Sequence, residues 1–347
     1  MSEAKRHHFV PKGYLREFGI GSDNNLTVFT QRMDLPHFYP KIEQIGKALC
    51  SEDYYNRINP YDSFLSSFFG TNPNIIEDKG FPYERQLPDL FLKLNKKKLP
   101  QISFSLADTN TLINALISIK FRNPYTRETY KKYQPKLEQD LPKIKEEYIS
   151  NILDQEIIKV SNNTDLSEDE KAYFNAGLHE YKRRLENDFS NPEEFIQTIH
   201  KTTLYLPDSS MMVHIKTLGQ RMMNCRWEIL QTGSDKQFIT SDNPGVYLTN
   251  DNNVYAQLYH SFEKLKINRF FFPLSGLHGL IMYINEPDIP FSSSKLIKCF
   301  FRPKAVMEYN TAHCCHANKI LIGSSKDALE EAFNANGKNW VDVKTRV

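Results

Sequence analysis

Residues 225–249 read Cys-Arg-Trp-Glu-Ile-Leu-Gln-Thr-Gly-Ser-Asp-Lys-Gln-Phe-Ile-Thr-Ser-Asp-Asn-Pro-Gly-Val-Tyr-Leu-Thr, and here the hydrophobic pattern changes to a period of two. Strands have this period because successive side chains point to opposite faces, and turn residues separate the runs. The pattern predicts strands at 226–231, 237–240, 246–249, 269–272, 277–284 and 319–322. We therefore expect a mainly antiparallel sheet over residues 225–347, with a last helix from near Ser325 and an edge strand near 340–343.

The segment before this sheet, residues 101–224, is predicted to be a helical lobe. Ser105 or Asp108 can cap a buried helix whose apolar residues are Leu112, Ile113, Leu116, Ile117 and Ile119. Capping boxes at 167–170 and 190–193 predict helices at about 168–188 and 191–204. No Gly/Ser/Pro-rich linker separates this lobe from the rest. The whole chain, 1–347, is therefore predicted to be one α+β domain that contains the lobe.

The first hundred residues are mixed. A strand is expected at 26–32, with 35–42 as its hairpin partner, although Pro36 and Pro40 favour an edge or a loop there. Residues 60–69 and 82–96 have amphipathic helical patterns. The N-terminal segment is not polar, since Tyr14, Leu15 and Phe18 are large and apolar. These three residues predict that the N-terminal segment packs on the body of the protein.

Composition excludes some classes of function. The 347 residues carry a formal net charge of +2, which gives no global attraction to nucleic acid or to an anionic membrane. The N-terminus lacks the apolar core of a signal peptide, and no window approaches a membrane span. Five cysteines, an odd number, fit thiols in a reducing compartment. We expect a cytoplasmic protein with no membrane segment.

Two motifs are the specific sequence signatures of this chain. The first is His-His-x-Val-Pro at 7–11, followed by Tyr14, Leu15 and Phe18, and the second is Phe-Ile-Thr-Ser-Asp-Asn-Pro at 238–244 after Trp227. With a Phe-Pro-Leu-Ser step at 272–275, they resemble the uncharacterised bacterial domain-of-unknown-function family 4238. The resemblance also points to single residues of the family pattern, which are Glu84, Arg122 followed by Pro124, and Asn310. It supplies no reaction.

Asp242 follows a predicted strand, where a side chain is held rigidly and can still reach solvent. There it could bind a metal, orient a histidine or act as a general base. The alternative is structural, because Asp242 and Asn243 before Pro244 are typical of an Asx turn.

His7 and His8 are the candidates for acid–base catalysis, since imidazole titrates near neutral pH. The alternative is that the two rings pack against the core. Arg122 could bind a phosphate bidentately, or it could pair with Glu84 or Asp242.

These residues together suggest a hydrolase that acts on nucleic acid or a nucleotide, with or without a divalent metal. Such an enzyme fits an effector of phage defence. In it His7, His8, Glu84 and Asp242 are catalytic, and Arg122, Asn243 and Asn310 bind the substrate. The alternative function is a non-catalytic module that binds a protein or ligand, in which the same residues form a structural polar network. Burial and backbone pairing of these side chains favour the module, and an open polar cleft favours the enzyme.

Three other patterns are weaker. His8, Asn25 and His37 have the order found in His-Asn-His nucleases, but the flanking prolines argue against the helix that the last histidine needs. His313-Cys314-Cys315-His316 could bind a metal only with ligands from elsewhere, because four consecutive residues cannot all face one ion. The basic run 93–98 could contact a nucleic-acid backbone, or it could be a solvated helix end. Walker, Gly-x-Ser-x-Gly and His-Glu-x-x-His motifs do not occur.

Overall fold

A computed structural model describes residues 6–22, 25–52, 84–95, 100–121, 153–188, 218–255, 266–287, 294–336 and 341–342, with the pairs 135–136, 139–140, 142–143 and 146–147. The chain is α+β, as predicted. It divides into two compact units. The first contains residues 1–56, 76–127 and 210–347, and the second contains residues 57–75 and 128–209.

The strands are β1 Arg6–His8, β2 Thr27–Arg32, β3 Lys41–Gln44, β4 Cys50–Glu52, β5 Gln101–Ser105, β6 Cys225–Gln231, β7 Thr240–Ser241, β8 Val246–Thr249, β9 Asn253–Tyr255, β10 Ile267–Pro273, β11 His278–Pro287, β12 Ser294–Phe301, β13 Ile320–Gly323 and β14 Val341–Asp342. The α-helices are α1 Lys12–Leu15, α2 Leu87–Asn95, α3 Leu106–Phe121, α4 Asp154–Ser161, α5 Glu168–Asp188, α6 Pro303–Cys315 and α7 Lys326–Asn334. Short 3₁₀ helices span Arg16–Phe18 and Glu84–Gln86.

The largest sheet of the first unit has eight strands in the order β14-β9-β8-β10-β11-β6-β12-β5. It is mainly antiparallel, as predicted, with parallel pairs only at β12–β6 and β14–β9 among the described strands. Helix α6 packs against this sheet, where Val306, Tyr309 and Ala312 contact a cluster that includes Phe271 and Ile281. The sequence did not predict α6, β5, β9 or β12.

A four-stranded sheet has the order β3-β2-β13-β7. The predicted hairpin partner of β2 exists, but it begins at Lys41 and not at residue 35, because the prolines at 36 and 40 lie in the connection. His37 lies in the same connection and not on a helix. The predicted strand at 237–240 is also corrected. Ladder pairing there begins only at Thr240, since the N–H of Ile239 donates to the side chain of Asn310.

The N-terminal segment is ordered and packed, as predicted. Its strand β1 pairs with β4, and the apolar anchors Tyr14, Leu15 and Phe18 are all fully buried. The Tyr14 hydroxyl donates to the carbonyl of Pro273 at 2.7 Å and lies 2.8 Å from Oγ1 of Thr240. The N-terminal segment therefore lies against the strands of the C-terminal part.

Two predicted helices are confirmed at their N-termini. In α3, which belongs to the first unit with β5, Ser105 and Asp108 bond each other's backbone N–H groups in a capping box. In α5, which packs with α4 in the second unit, Ser167 and Glu170 do the same. The helices predicted at 60–69 and 191–204 lie outside the described residues. Among the helices that the structure describes, none has the length and apolar character needed to span a membrane.

Tyr14→Phe is expected to lower the free energy of unfolding by about 1–3 kcal/mol, because a buried carbonyl and a buried threonine hydroxyl lose their partner. Tyr39 is 67% exposed, so Tyr39→Phe is the matched control and should change stability by less than about 0.5 kcal/mol. Urea denaturation of both variants measures the difference. Equal stability of the two variants would contradict the anchoring role of the Tyr14 hydroxyl.

Candidate functional site

The residues from Thr240 to Gly245 form the step at which three distant parts of the chain meet. The step comprises strand β7 and the turn that connects it to β8, and all of its residues are buried. Gly245 has φ +79°, a conformation that favours glycine, and a Cβ there would lie 2.6 Å from the ring of Phe272. The close packing of this turn explains why a glycine follows the Ser-Asp-Asn-Pro motif.

Asp242 binds another segment and not its own turn. Oδ1 accepts the N–H of Asn318 at 2.8 Å, and Oδ2 accepts the N–H groups of Lys319 and Ile320 at 2.8 and 3.2 Å. The predicted Asx turn is therefore wrong for Asp242. The turn is closed instead by Ser241, whose Oγ accepts the N–H of Asn243 at 3.0 Å.

Asp242 is only 2% exposed. Burial raises its pKa to about 6, while the three backbone N–H bonds act in the opposite direction. The group is therefore charged at neutral pH and closer to protonation than an ordinary aspartate.

Lys120, near the C-terminal end of α3, donates hydrogen bonds to this step, and no local pattern in the sequence predicted this contact. Its Nζ donates to Oδ1 of Asn243 at 2.8 Å and to the carbonyl of Gly245 at 2.5 Å. The side chain is fully buried, and burial lowers its pKa well below the usual value, against the attraction of Asp242. Arg122, the cation predicted from the sequence, lies outside the described residues.

The two histidines of the His-Cys-Cys-His run also belong to this network. His313 Nε2 lies 3.0 Å from the Ser241 hydroxyl, and His316 Nε2 donates to the carbonyl of Val254 at 2.6 Å. Asn243 donates to the backbone carbonyl of His316 at 2.9 Å. Burial lowers the pKa of each histidine to about 3, with Lys120 contributing, so both rings are neutral at pH 7.

The His-Cys-Cys-His run lies at the C-terminal end of α6, where its side chains take different partners. Nδ1 of His313 is buried and has no hydrogen-bond partner. Over the described ranges, no group of three His, Cys, Asp or Glu side chains is arranged to hold a metal ion.

Asn310 on α6 fixes the segment before β7. Its Oδ1 accepts the N–H of Ile239 at 3.1 Å, and its Nδ2 donates to the carbonyl of Gln237 at 2.8 Å. The side-chain amide of Asn310 therefore makes hydrogen bonds to the backbone of this segment like those that a neighbouring strand would make. The geometry shows a buried residue that bonds backbone on both sides.

The other candidates lie on different elements. Glu84 is half-buried in the 3₁₀ helix before α2 and accepts the hydroxyl of Ser118 at 3.0 Å. His7 and His8 lie on β1 opposite Ser51 and Cys50, and His8 is half-buried. Only the backbone of His7 is described.

The step thus brings Ser241 and Asn243 together with Lys120, His313 and His316, and Asn310 bonds the segment just before it. The N-terminal segment reaches the step through Tyr14, as described above. Lys93, from the basic run at 93–98, donates to the carboxylate of Asp108 at 2.7 Å, and the other lysines of the run lie outside the described residues.

Asp242→Asn is expected to lower the free energy of unfolding by about 2 kcal/mol or more. In the variant an NH₂ group would replace one of the two oxygens that accept backbone N–H groups in the wild type, so donor would face donor. Asp235, an exposed turn residue, gives the control Asp235→Asn, with an expected change below about 0.5 kcal/mol. Thermal and urea unfolding measure both. Full stability of Asp242→Asn would contradict the structural role of this carboxylate.

Stability should fall as the pH falls below about 6.5. His313 and His316 have pKa values of about 3 in the folded chain and about 6.5 when unfolded, so only the unfolded chain takes up protons in this window. Each histidine then removes up to about 1.4 kcal/mol per pH unit. Asp242 opposes this between about pH 6 and 4, because its raised pKa makes the folded chain bind a proton first.

The measurement is urea unfolding of the wild type and of His313→Gln from pH 7.5 to 4. The variant removes one titrating ring and keeps a polar partner for Ser241. Its free energy of unfolding should therefore fall less steeply with acid, by up to about 1.4 kcal/mol per pH unit. Identical pH profiles would contradict the neutral, buried state of His313.

A family model described as "Protein of unknown function (DUF4238)" matches residues 6–327, which include both motifs noted in the sequence. No curated protein and no solved structure matches the chain.

Proposed function

The chain belongs to the family of the Protein of unknown function (DUF4238), and from its geometry we propose that it is a non-catalytic ligand-binding module whose buried polar network is structural. The observation that carries this proposal is the environment of the Ser-Asp-Asn step. There the side chains of Asp242, Asn243 and Asn310 are buried and bonded to backbone groups of other segments.

A general base must reach the proton that it removes, directly or through one water. Both oxygens of Asp242 are already occupied by backbone N–H groups, and the residue is almost fully shielded from solvent. Asn310 has both ends of its amide engaged in the same way. These facts support a scaffold role for Asp242 and Asn310, two members of the predicted catalytic and substrate-binding set.

The proposed ligand is a nucleic acid or a nucleotide, and the proposed compartment is the bacterial cytoplasm. A reducing compartment is supported by Cys225, Cys299, Cys314 and Cys315, which are free thiols in the part of the chain whose side chains are described.

A second candidate is a hydrolase of nucleic acid or nucleotides, acting in phage defence with or without a divalent metal. One observation favours it: the segment that carries His7 and His8 packs at Thr240, two residues before Asp242. In this function the histidines would perform the acid–base chemistry, with Glu84 as the accompanying carboxylate.

The test is to incubate purified protein with labelled single- and double-stranded DNA and RNA, with magnesium, with manganese and with chelator. The expected result is retention of a labelled strand in a gel without cleavage. The double variant His7→Gln/His8→Gln should retain the strand equally well. If the wild type cleaves the strand and this variant does not, the binding-only proposal is overturned in favour of the hydrolase. If the wild type neither retains nor cleaves any strand, nucleic acid is not the ligand.

A further inference from the structure

A pocket of about 210 Å³ lies beside the N-terminal helix, in the first unit. The residues that line it include two basic ones, Lys12 and Arg16, and two that carry amide side chains, Asn25 and Gln44. Leu26 and Ile45 add apolar surface. Of the described residues that line it, none is acidic. The lining therefore combines positive charge, amide groups and a small apolar area, and none of its residues belongs to the buried network.

The cations face the pocket because of the spacing of the N-terminal motif. Tyr14, Leu15 and Phe18 are buried on one side of α1 and the following 3₁₀ turn, which leaves Lys12 and Arg16 exposed, one helical turn apart. Both side chains line the pocket, so an anion bound there would lie beside two positively charged groups.

The segments that contribute Leu26 and Ile45 to the pocket are held by backbone hydrogen bonds. The N–H of Ile45 donates to the carbonyl of Leu26 at 3.1 Å, and Ile20 and Thr27 exchange a pair of backbone bonds. The N–H groups of Lys47 and Ala48 both donate to the carbonyl of Gln44. The pocket is therefore formed by tight, bonded turns before any ligand arrives, which reduces the entropy cost of binding.

We propose that this pocket binds the phosphoryl group of a small ligand. A guanidinium forks onto phosphate oxygens, an ammonium adds a point charge, and amide N–H groups complete such a site. Pockets for drug-sized ligands have about 300–1,000 Å³. The smaller volume here fits a phosphate with part of a sugar, and the ligand class is therefore a sugar phosphate monoester, such as a mononucleotide, whose phosphate end enters the pocket. This inference rests on the proposed binding function and names the chemistry of its ligand.

Isothermal titration calorimetry tests the proposal with four probes: inorganic phosphate, adenosine monophosphate, adenosine, and an oligonucleotide without a terminal phosphate. We expect binding of the first two, weakened by salt, and no binding of adenosine. Binding of the oligonucleotide that is as tight as that of the monophosphate, and that Lys12→Gln and Arg16→Gln weaken equally, would show that the pocket takes a diester backbone, and would overturn the assignment to a small monoester.

The variants Lys12→Gln and Arg16→Gln should each weaken binding of the monophosphate by about tenfold or more. Lys326→Gln changes an exposed lysine on α7 that does not line the pocket and is the matched control, with unchanged affinity expected. Circular dichroism checks that all variants are folded.

Absence of heat with both phosphate and the monophosphate, or unchanged affinity in the pocket variants, would overturn the inference. If labelled nucleic acid is still retained in that case, the binding function stands and only this pocket is excluded. If neither retention nor phosphate binding occurs, both the nucleic-acid ligand and the pocket assignment fail.

Discussion

The buried carboxylate of Asp242 is the constraint on which most of the described fold depends. Its oxygens accept three consecutive backbone N–H groups at 318–320, and the residue before it pairs with β13. Strand β13 lies between β7 and β2, so the bonds that hold β13 also fix the four-stranded sheet. A buried charge without such partners would cost several kcal/mol, and the alignment of these segments supplies the partners.

The two histidines of the network around Asp242 are uncharged at neutral pH. Burial lowers the pKa of Lys120 against the attraction of Asp242, and the two histidines stay neutral because burial and this lysine disfavour their protonation. A neutral imidazole still offers one donor and one acceptor. The network therefore connects α3, α6 and the sheet strands by hydrogen bonds, and its dependence on every member gives the fold a single arrangement.

Local signals in the sequence predicted the parts of the fold that depend on neighbours in the chain. Local residues alone determine the capping boxes at Ser105 and Ser167 and the apolar period of α3, and both helices form where predicted. The hydrophobic anchors of the N-terminal segment were also evident, because large apolar residues at helical spacing are costly to expose.

Features that depend on distant partners were missed. Helix α6 ends in His-Cys-Cys-His, which looks like a metal motif, and its polar residues are buried only because β7 and β9 supply partners. Lys120 stands in an apolar helix, and no local pattern indicates that its ammonium meets Asn243 across 123 residues. The motif around Asp242 was recognised, but its role as an acceptor for residues 318–320 depends on a segment far along the chain.

The position of β2 in its sheet determines when that sheet can be completed during synthesis of the chain. Strand β2 is paired on one side with β3, which the ribosome delivers within a few residues, and on the other with β13, which is delivered almost three hundred residues later. Until then one edge of β2 presents unpaired N–H and C=O groups, a surface prone to pairing with other chains. A nascent chain that stops before residue 320 cannot close this edge, so the four-stranded sheet is completed only after the ribosome has made β13.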